Sequence, residues 1–170
     1  MEPLGLRHSH GMFLLWSSPD VCRYAGPSVD WDGHRIRLPA TTPADSDKII
    51  EFFERAARAD SGFRWAVIRR EDVEFVGTVG FNSLAPVAEL AFHLRPEFWG
   101  LGLMGEAAGA ALGWLRTDRP TLPVEAFIEP RNVASIKLAR RLGFHTTGNS
   151  HGGTERYVLD TSTWAPHGSS

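Results

Sequence analysis

Apolar and polar positions along the chain change period several times, and each change marks an element. Ile49, Phe52, Phe53 and Ala56 recur at helical spacing behind Thr42-Pro43-Ala44-Asp45, which supplies an N-cap, a proline at the first helical position and an acid at the third. This predicts an amphipathic helix running toward Gly62. Phe63 to Arg70 and Val73 to Phe81 are β-rich runs split by Glu71-Asp72, a hairpin signature, and Val87 to Leu94 adds a third consecutive strand. Beyond the glycines at 100, 102 and 105, Leu103, Ala107, Ala111, Trp114 and Leu115 form one stripe, so that segment is a helix lying on the sheet. After a break over 118–123, Val124 to Ile128 reads as another strand. Pro130-Arg131-Asn132 opens a helix that stops at Leu142-Gly143, where glycine suits the residue past the C-cap. Phe144 to Gly148 and Glu155 to Leu159 then pair across Gly152-Gly153.

The N-terminal part is less periodic. Pro3 to Arg7 is expected as a short strand, and His8 to Gly11 as a turn before a helical piece with Phe13, Leu14 and Trp16. Ser18-Pro19-Asp20 begins a brief second helix ending near Gly26-Pro27. From 28 to 42 the pattern is irregular, with Trp31, Asp32, His34, Arg35 and Arg37 in a loop or small hairpin, the kind of segment that carries binding groups. Helices thus precede an antiparallel meander, one right-handed crossover joins two parallel strands, and a helix and hairpin close the chain. The class is α/β with a mixed sheet, in a single domain over residues 1–165 with a disordered tail at 166–170.

Composition narrows the function. At 170 residues, 42% hydrophobic, there is enough interior for one core. A net charge of −2 gives no bulk attraction to nucleic acid or an acidic membrane, and Met12 to Trp16 is too short an apolar run for a signal or a span. Cys22 is the only cysteine, which excludes an internal disulfide and a multi-cysteine metal cage and suits a reducing cytoplasm. His8-Ser9-His10 offers too few ligands for a metal, so no metal is expected. The expected molecule is soluble and cytoplasmic, a monomer or homodimer, with no nucleic-acid or membrane partner.

The glycines between a strand and a helix carry the chemistry. A first helical turn has N–H groups without partners and the positive end of the dipole, so this entry predicts a cradle for a diphosphate. Gly100-x-Gly102-x-x-Gly105 matches the dinucleotide fingerprint, with Glu125 near the place of the ribose-binding acid. Against a nicotinamide or flavin enzyme stand the intervening Arg95 to Trp99, the position of Glu125 inside a strand, and too few further βα units.

Two separated motifs favour another reading. Glu89 to Ala107, with Pro96-Glu-Phe-Trp99-Gly-Leu-Gly102-Leu-Met104-Gly-Glu106-Ala107, resembles the acetyl-CoA motif of the GNAT superfamily of N-acetyltransferases. Glu129-Pro130-Arg-Asn132-Val-Ala-Ser135-Ile-Lys-Leu-Ala-Arg-Arg141-Leu142-Gly143-Phe144 looks like the motif that follows it, closest to the RimJ/RimL-like branch, which includes ribosomal-protein alanine acetyltransferases. The resemblance extends over roughly residues 4–160. The superfamily pattern Q/R-x-x-G-x-G/A becomes Trp99-x-x-Gly102-x-Met104, and Trp and Met at these places resemble that branch; Gly105 stands where it often has Ser or Thr. The tyrosine many members use as general acid falls at Ala139.

What the resemblance implies is a GNAT-like fold: a mixed, mostly antiparallel sheet of about six to seven strands, a splayed parallel pair and helices on both faces. It implies acetyl-CoA as cosubstrate and an amine acceptor, either a small molecule or a peptide N-terminus, attacking directly without an acetyl-enzyme. The turn Trp99, Gly100, Gly102, Met104 and Gly105 would bind the diphosphate. Main-chain groups of Phe92 and Leu94 would hold the pantetheine amide and thioester oxygen, Asn132 would touch the pantetheine, and Arg141, with Arg131, Lys137 and Arg140, could meet the 3′-phosphate. A lysine-type amine, with a pKa of about 10.4, must lose a proton first. Glu89, on a strand face with Ala91 and His93, is the candidate base, and Ser135 the group that protonates the thiolate. His93 is a candidate proton shuttle at the acceptor site, and Trp31 and Asp32 fall in the region that walls it. Trp16, Tyr24 and Phe63 read mainly as packing residues and Cys22 as a small buried group. A catalytically silent acyl-CoA sensor of the same fold is the rival reading.

Overall fold

The computed structural model describes residues 1–162, so the expected tail at 166–170 lies outside the described residues. One 7-stranded sheet has the order β1-β2-β3-β4-β5-β7-β6. Its strands are β1 (Glu2–Pro3), β2 (Phe63–Arg69), β3 (Glu74–Leu84), β4 (Ala88–Leu94), β5 (Val124–Ile128), β6 (Phe144–His151) and β7 (Thr154–Leu159). All neighbours are antiparallel except β4 and β5. This is the α/β mixed sheet that the sequence predicts, with its single parallel pair joined by the crossover helix.

Period-2 alternation gives each strand two apolar faces, and helices cover both. On one side lie α1 (Ser9–Trp16) and α3 (Pro43–Arg58), where Leu15, Ile50 and Ala56 pack with Ala66 and Phe75. The short α2 (Pro19–Cys22) extends the same side, capped by Ser18 as expected. On the other, α4 (Leu103–Asp118) and α5 (Val133–Arg141) set Ala108, Leu112, Leu115 and Leu138 against Val76, Val79, Phe81 and Leu90. The stripe of α4 keeps Ala107, Ala111 and Leu115 of the expected one and adds Met104, Ala108 and Leu112, while Leu103 and Trp114 are half-buried. Trp114 is drawn to the stripe's rim by the rings of Phe63 and Trp65, at 5.9 Å and 5.1 Å.

Two N-terminal expectations need correction. The first strand stops at Pro3, because Leu6 to His8 form a 3₁₀ turn in which Gly5 N–H donates to His8 Nδ1 at 3.1 Å. Residues 9–11 are helical rather than a turn. Gly11 is what lets α1 sit so low, since a Cβ there would fall 2.4 Å from the Phe75 ring. The C-terminal hairpin is longer than expected: β6 reaches His151 by way of a register shift beside Gly148, at φ 73°.

Candidate active site

Helix α4 starts from Gly102 at φ 80°, and Gly100 is at φ 79°. A Cβ at either would meet nothing within 4 Å, so the backbone turn, not crowding, calls for glycine here. Gly105 and Glu106 both donate to Gly102 O, but the N–H groups of Gly100, Leu101, Gly102, Leu103 and Met104 have no hydrogen-bond partner among the described residues. Consecutive free amides at the positive end of a sixteen-residue helix fit a diphosphate. The approach to this turn is rigidly held. Buried Arg95 donates to Glu74 Oε1 and Phe75 O, both at 2.8 Å, and to Glu97 Oε1 at 2.6 Å. Phe98 is buried beneath it, and exposed Trp99 donates from Nε1 to Leu94 O at 2.8 Å.

Beside this turn the parallel pair opens. Strands β4 and β5 pair only at Ala88 with Val124 and Glu89 with Glu125; beyond that, β4 follows β3 and β5 follows β7. Ala88 N–H donates toward β5, to Pro123 O at 2.8 Å, so by alternation Leu90, Phe92 and Leu94 also turn their main-chain N–H groups to that side. At Phe92 and Leu94 the partner strand has left. Glu125, the acid of the dinucleotide reading, is bound by Arg156 Nε at 2.6 Å inside β5, and the sheet is not doubly wound.

A cavity of about 440 Å³ occupies the divergence. Glu89, Phe92 and His93 reach its wall from β4, Asn132 and Ser135 from α5, and Trp16, Tyr24 and Phe52 from the opposite side. Glu89 is half-buried, with Oε1 accepting from Asn82 Nδ2 at 2.7 Å. Asn132 caps α5 by accepting the Ser135 N–H at 3.2 Å, while the Ser135 hydroxyl has no partner among the described residues. His93 packs on Trp16 with ring centroids 4.5 Å apart, and its Nδ1 is buried without a partner among the described residues. Burial, assisted by the Arg64 charge, pushes its pKa down to about 3. It is therefore neutral at physiological pH and a weak proton acceptor.

The remaining sequence-chosen residues lie apart. Trp31 and Asp32 are exposed and off the cavity wall, with Trp31 packing on the wall residue Phe52, 5.6 Å between rings. Arg141 is exposed at the end of α5, and Arg131 is engaged by Glu129 at 2.6 Å. Met104 is buried in the core, so only its main chain faces the turn; a Cβ on Gly105 would make ordinary contact with Leu138 at 3.6 Å. Asp30, Asp32 and His34 lie close enough to share an ion, but Asp30 already accepts the N–H groups of Asp32 and His34, which makes it a loop cap. Sequence reasoning missed Arg64 and Asn82 and gave Trp16 and Tyr24 only a packing role. An arginine between Phe63 and Trp65, in a run that is otherwise apolar from 63 to 68, was the available signal.

Comparison with known proteins agrees with this geometry. Residues 1–145 match the family model described as the acetyltransferase (GNAT) domain. An uncharacterized N-acetyltransferase, p20 of Bacillus licheniformis, is 28% identical over 151 residues, 87% of this chain and 79% of that protein. Among solved structures, the ribosomal-protein-S5-alanine acetyltransferase of Vibrio fischeri superposes with a TM-score of 0.75 at 16% identity, covering 97% of this chain and 94% of its own. RimL, a ribosomal L7/L12 α-N-protein acetyltransferase in complex with coenzyme A, gives 0.72 at 18% identity, covering 94% and 93%. At these identities the structural likeness establishes the fold.

Proposed function

The chain belongs to the acetyltransferase (GNAT) family, and from that premise we propose that it is an acetyl-CoA-dependent N-acetyltransferase acting on a primary amine, on a small molecule or a peptide N-terminus, in the manner of the RimJ/RimL-like branch. The observation that carries this reading is the coincidence of free amides at 100–104 with a parallel pair that parts after Glu89 and leaves a cavity with that carboxylate on its wall. Acetyl-CoA supplies the acyl group, already activated as a thioester.

The residues then have separable tasks. Gly100 to Met104 hold the diphosphate through main-chain N–H groups, and Trp99 fixes the turn against Leu94. The N–H groups of Phe92 and Leu94 anchor the pantetheine arm and donate to the thioester oxygen as negative charge develops there. Glu89 takes a proton from the incoming ammonium, directly or through water, leaving a lone pair for attack. Ser135, whose hydroxyl has no partner among the described residues, relays to the departing sulfur the proton that the nitrogen sheds after attack, taking up that proton as it gives its own and so ending as a hydroxyl. Asn132 holds the first turn of α5 so that this hydroxyl stays on the cavity wall. Neutral His93, on Trp16, shapes the acceptor end without exchanging protons.

The test is release of free thiol from acetyl-CoA across a panel of monoamines, polyamines and peptides with free N-termini. Amine-dependent release is expected, falling about 10²–10⁴-fold in Glu89→Gln with CoA affinity retained, and falling less in Ser135→Ala. Tight CoA binding with no release for any amine would overturn the enzyme and leave a silent sensor.

A further inference from the structure

On the cavity wall, Arg64 is 5% exposed, followed along its strand by four apolar residues. It belongs to the cross-strand row Arg64, Gly80, Ala91, and at Gly80 a Cβ would fall 2.1 Å from Phe63 O. With no side chain in the middle of the row, Arg64 reaches across β3, and its Nη1 donates to Ala91 O at 2.7 Å. Its Nη2 donates to Asn82 Oδ1, and Asn82 Nδ2 donates to Glu89 Oε1 at 2.7 Å. The direction of this chain is fixed chemically. A guanidinium has only donors and a carboxylate only acceptors, so the amide between them has one usable orientation. Burial pulls the Arg64 pKa down to about 10, with the Glu89 charge pulling the other way, so it remains a cation near neutral pH. A buried cation is costly where a well-packed apolar residue would serve stability as well or better, and here its face already rests on Phe53, 4.3 Å from the ring centroid.

We propose that Arg64 and Asn82 are positioning residues that couple the two halves of the transfer site. Through Asn82, Arg64 occupies one oxygen of Glu89 and leaves the other to the cavity. Through the Ala91 carbonyl it polarises the Ala91–Phe92 peptide, whose N–H, on Phe92, faces the parted strands. A charge-assisted bond to a peptide oxygen draws density from its nitrogen and makes that N–H a better donor. A single buried guanidinium thus tunes both the base and the group that receives charge at the thioester oxygen. The inference rests on the acetyl-transfer reading above.

The experiment uses the full chain with acetyl-CoA and the best amine of the panel, in Asn82→Ala, Arg64→Met and Arg64→Lys. Asn82 is exposed, so its variant is expected to fold normally. In Asn82→Ala and Arg64→Met, kcat falls about tenfold or more, while KM for acetyl-CoA and the affinity for CoA stay within about twofold. Arg64→Lys, which keeps the charge but not the fork, recovers part of the rate. The Phe92 amide proton, followed by NMR, moves upfield in Arg64→Met and stays in place in Asn82→Ala. Should Arg64→Met not fold, Arg64→Lys takes its place in the NMR comparison, with a smaller upfield move expected. If the unmodified chain turns over and Asn82→Ala keeps its kcat, or if the losses fall wholly in KM or CoA affinity, the inference is wrong and the function stands. An unmodified chain without turnover overturns the function and this inference with it.

Discussion

Replacing Gly102 by alanine separates backbone conformation from every other contribution at the helix mouth. Nothing lies within 4 Å of the added Cβ, so no clash is introduced. The cost is the left-handed backbone itself: at φ 80° an L-residue gives up about 1–2 kcal/mol relative to glycine. The variant can bear that strain in the free protein or escape it by rotating Gly102 out of the left-handed region. In the first case stability falls and the amides stay aimed; with about 2–4 °C lost per kcal/mol in a chain of this size, Tm drops by about 2–8 °C. In the second case Tm is spared, but CoA must rebuild the turn on binding or forgo a hydrogen bond to a charged phosphate, about 1.5–3 kcal/mol or roughly 10–150-fold in Kd. Either way the stability loss and the binding loss together reach about 1–2 kcal/mol or more. Thermal unfolding and calorimetric titration with CoA measure the two parts on one preparation. Gly109→Ala is the control: it lies in the middle of α4 with open space around it, so the same change there should raise stability by about 0.5–1 kcal/mol and leave Kd alone. Unchanged Tm together with unchanged CoA affinity in Gly102→Ala would refute the reasoning.

Other consequences follow from single residues. Between pH 6.5 and about 3 the unfolded chain binds a proton at His93 that the folded chain refuses, so this group lowers stability as pH falls through that window. His93→Phe, which keeps the packing on Trp16, should flatten that part of an acid-unfolding curve; an unchanged curve would show that His93 titrates normally. Leu115→Ala, at 0% exposure between α4 and the sheet, should cost about 2–5 kcal/mol by denaturant unfolding. Arg95→Met removes the charge-assisted bonds to Glu74, Phe75 and Glu97 that hold the approach to the glycine turn, and should weaken CoA binding as well as stability, read by titration and unfolding together.

The sequence made legible whatever short-range pattern controls. The capping of α3 by Thr42-Pro43-Ala44-Asp45, the strands on either side of Glu71-Asp72, and the strand, turn and helix around Gly100 and Gly102 are local signals, and each element formed where expected. The start of α1 is misread because Gly11 looks like a turn residue; its role is set by Phe75, sixty-four positions away. The same limit applies at the site. Glu89, Asn132 and Ser135 stand at motif positions, and the fold brings them to one cavity with Phe92 and His93. Trp31 and Asp32 belong to an irregular loop, which has no period to fix its path, and they lie off the wall. Arg64 and Asn82 act across three strands, and register between strands is not written in any one of them.

The central claim is that the opening between β4 and β5 admits a coenzyme whose diphosphate is gripped by main-chain amides. A crystal structure of the chain with CoA bound tests it most directly. The account predicts diphosphate oxygens within hydrogen-bond distance of N–H groups between Gly100 and Met104, and the thiol arm passing between Phe92 and β5 toward Glu89. CoA seated elsewhere, or β4 and β5 drawn together along their length in the complex, would contradict it.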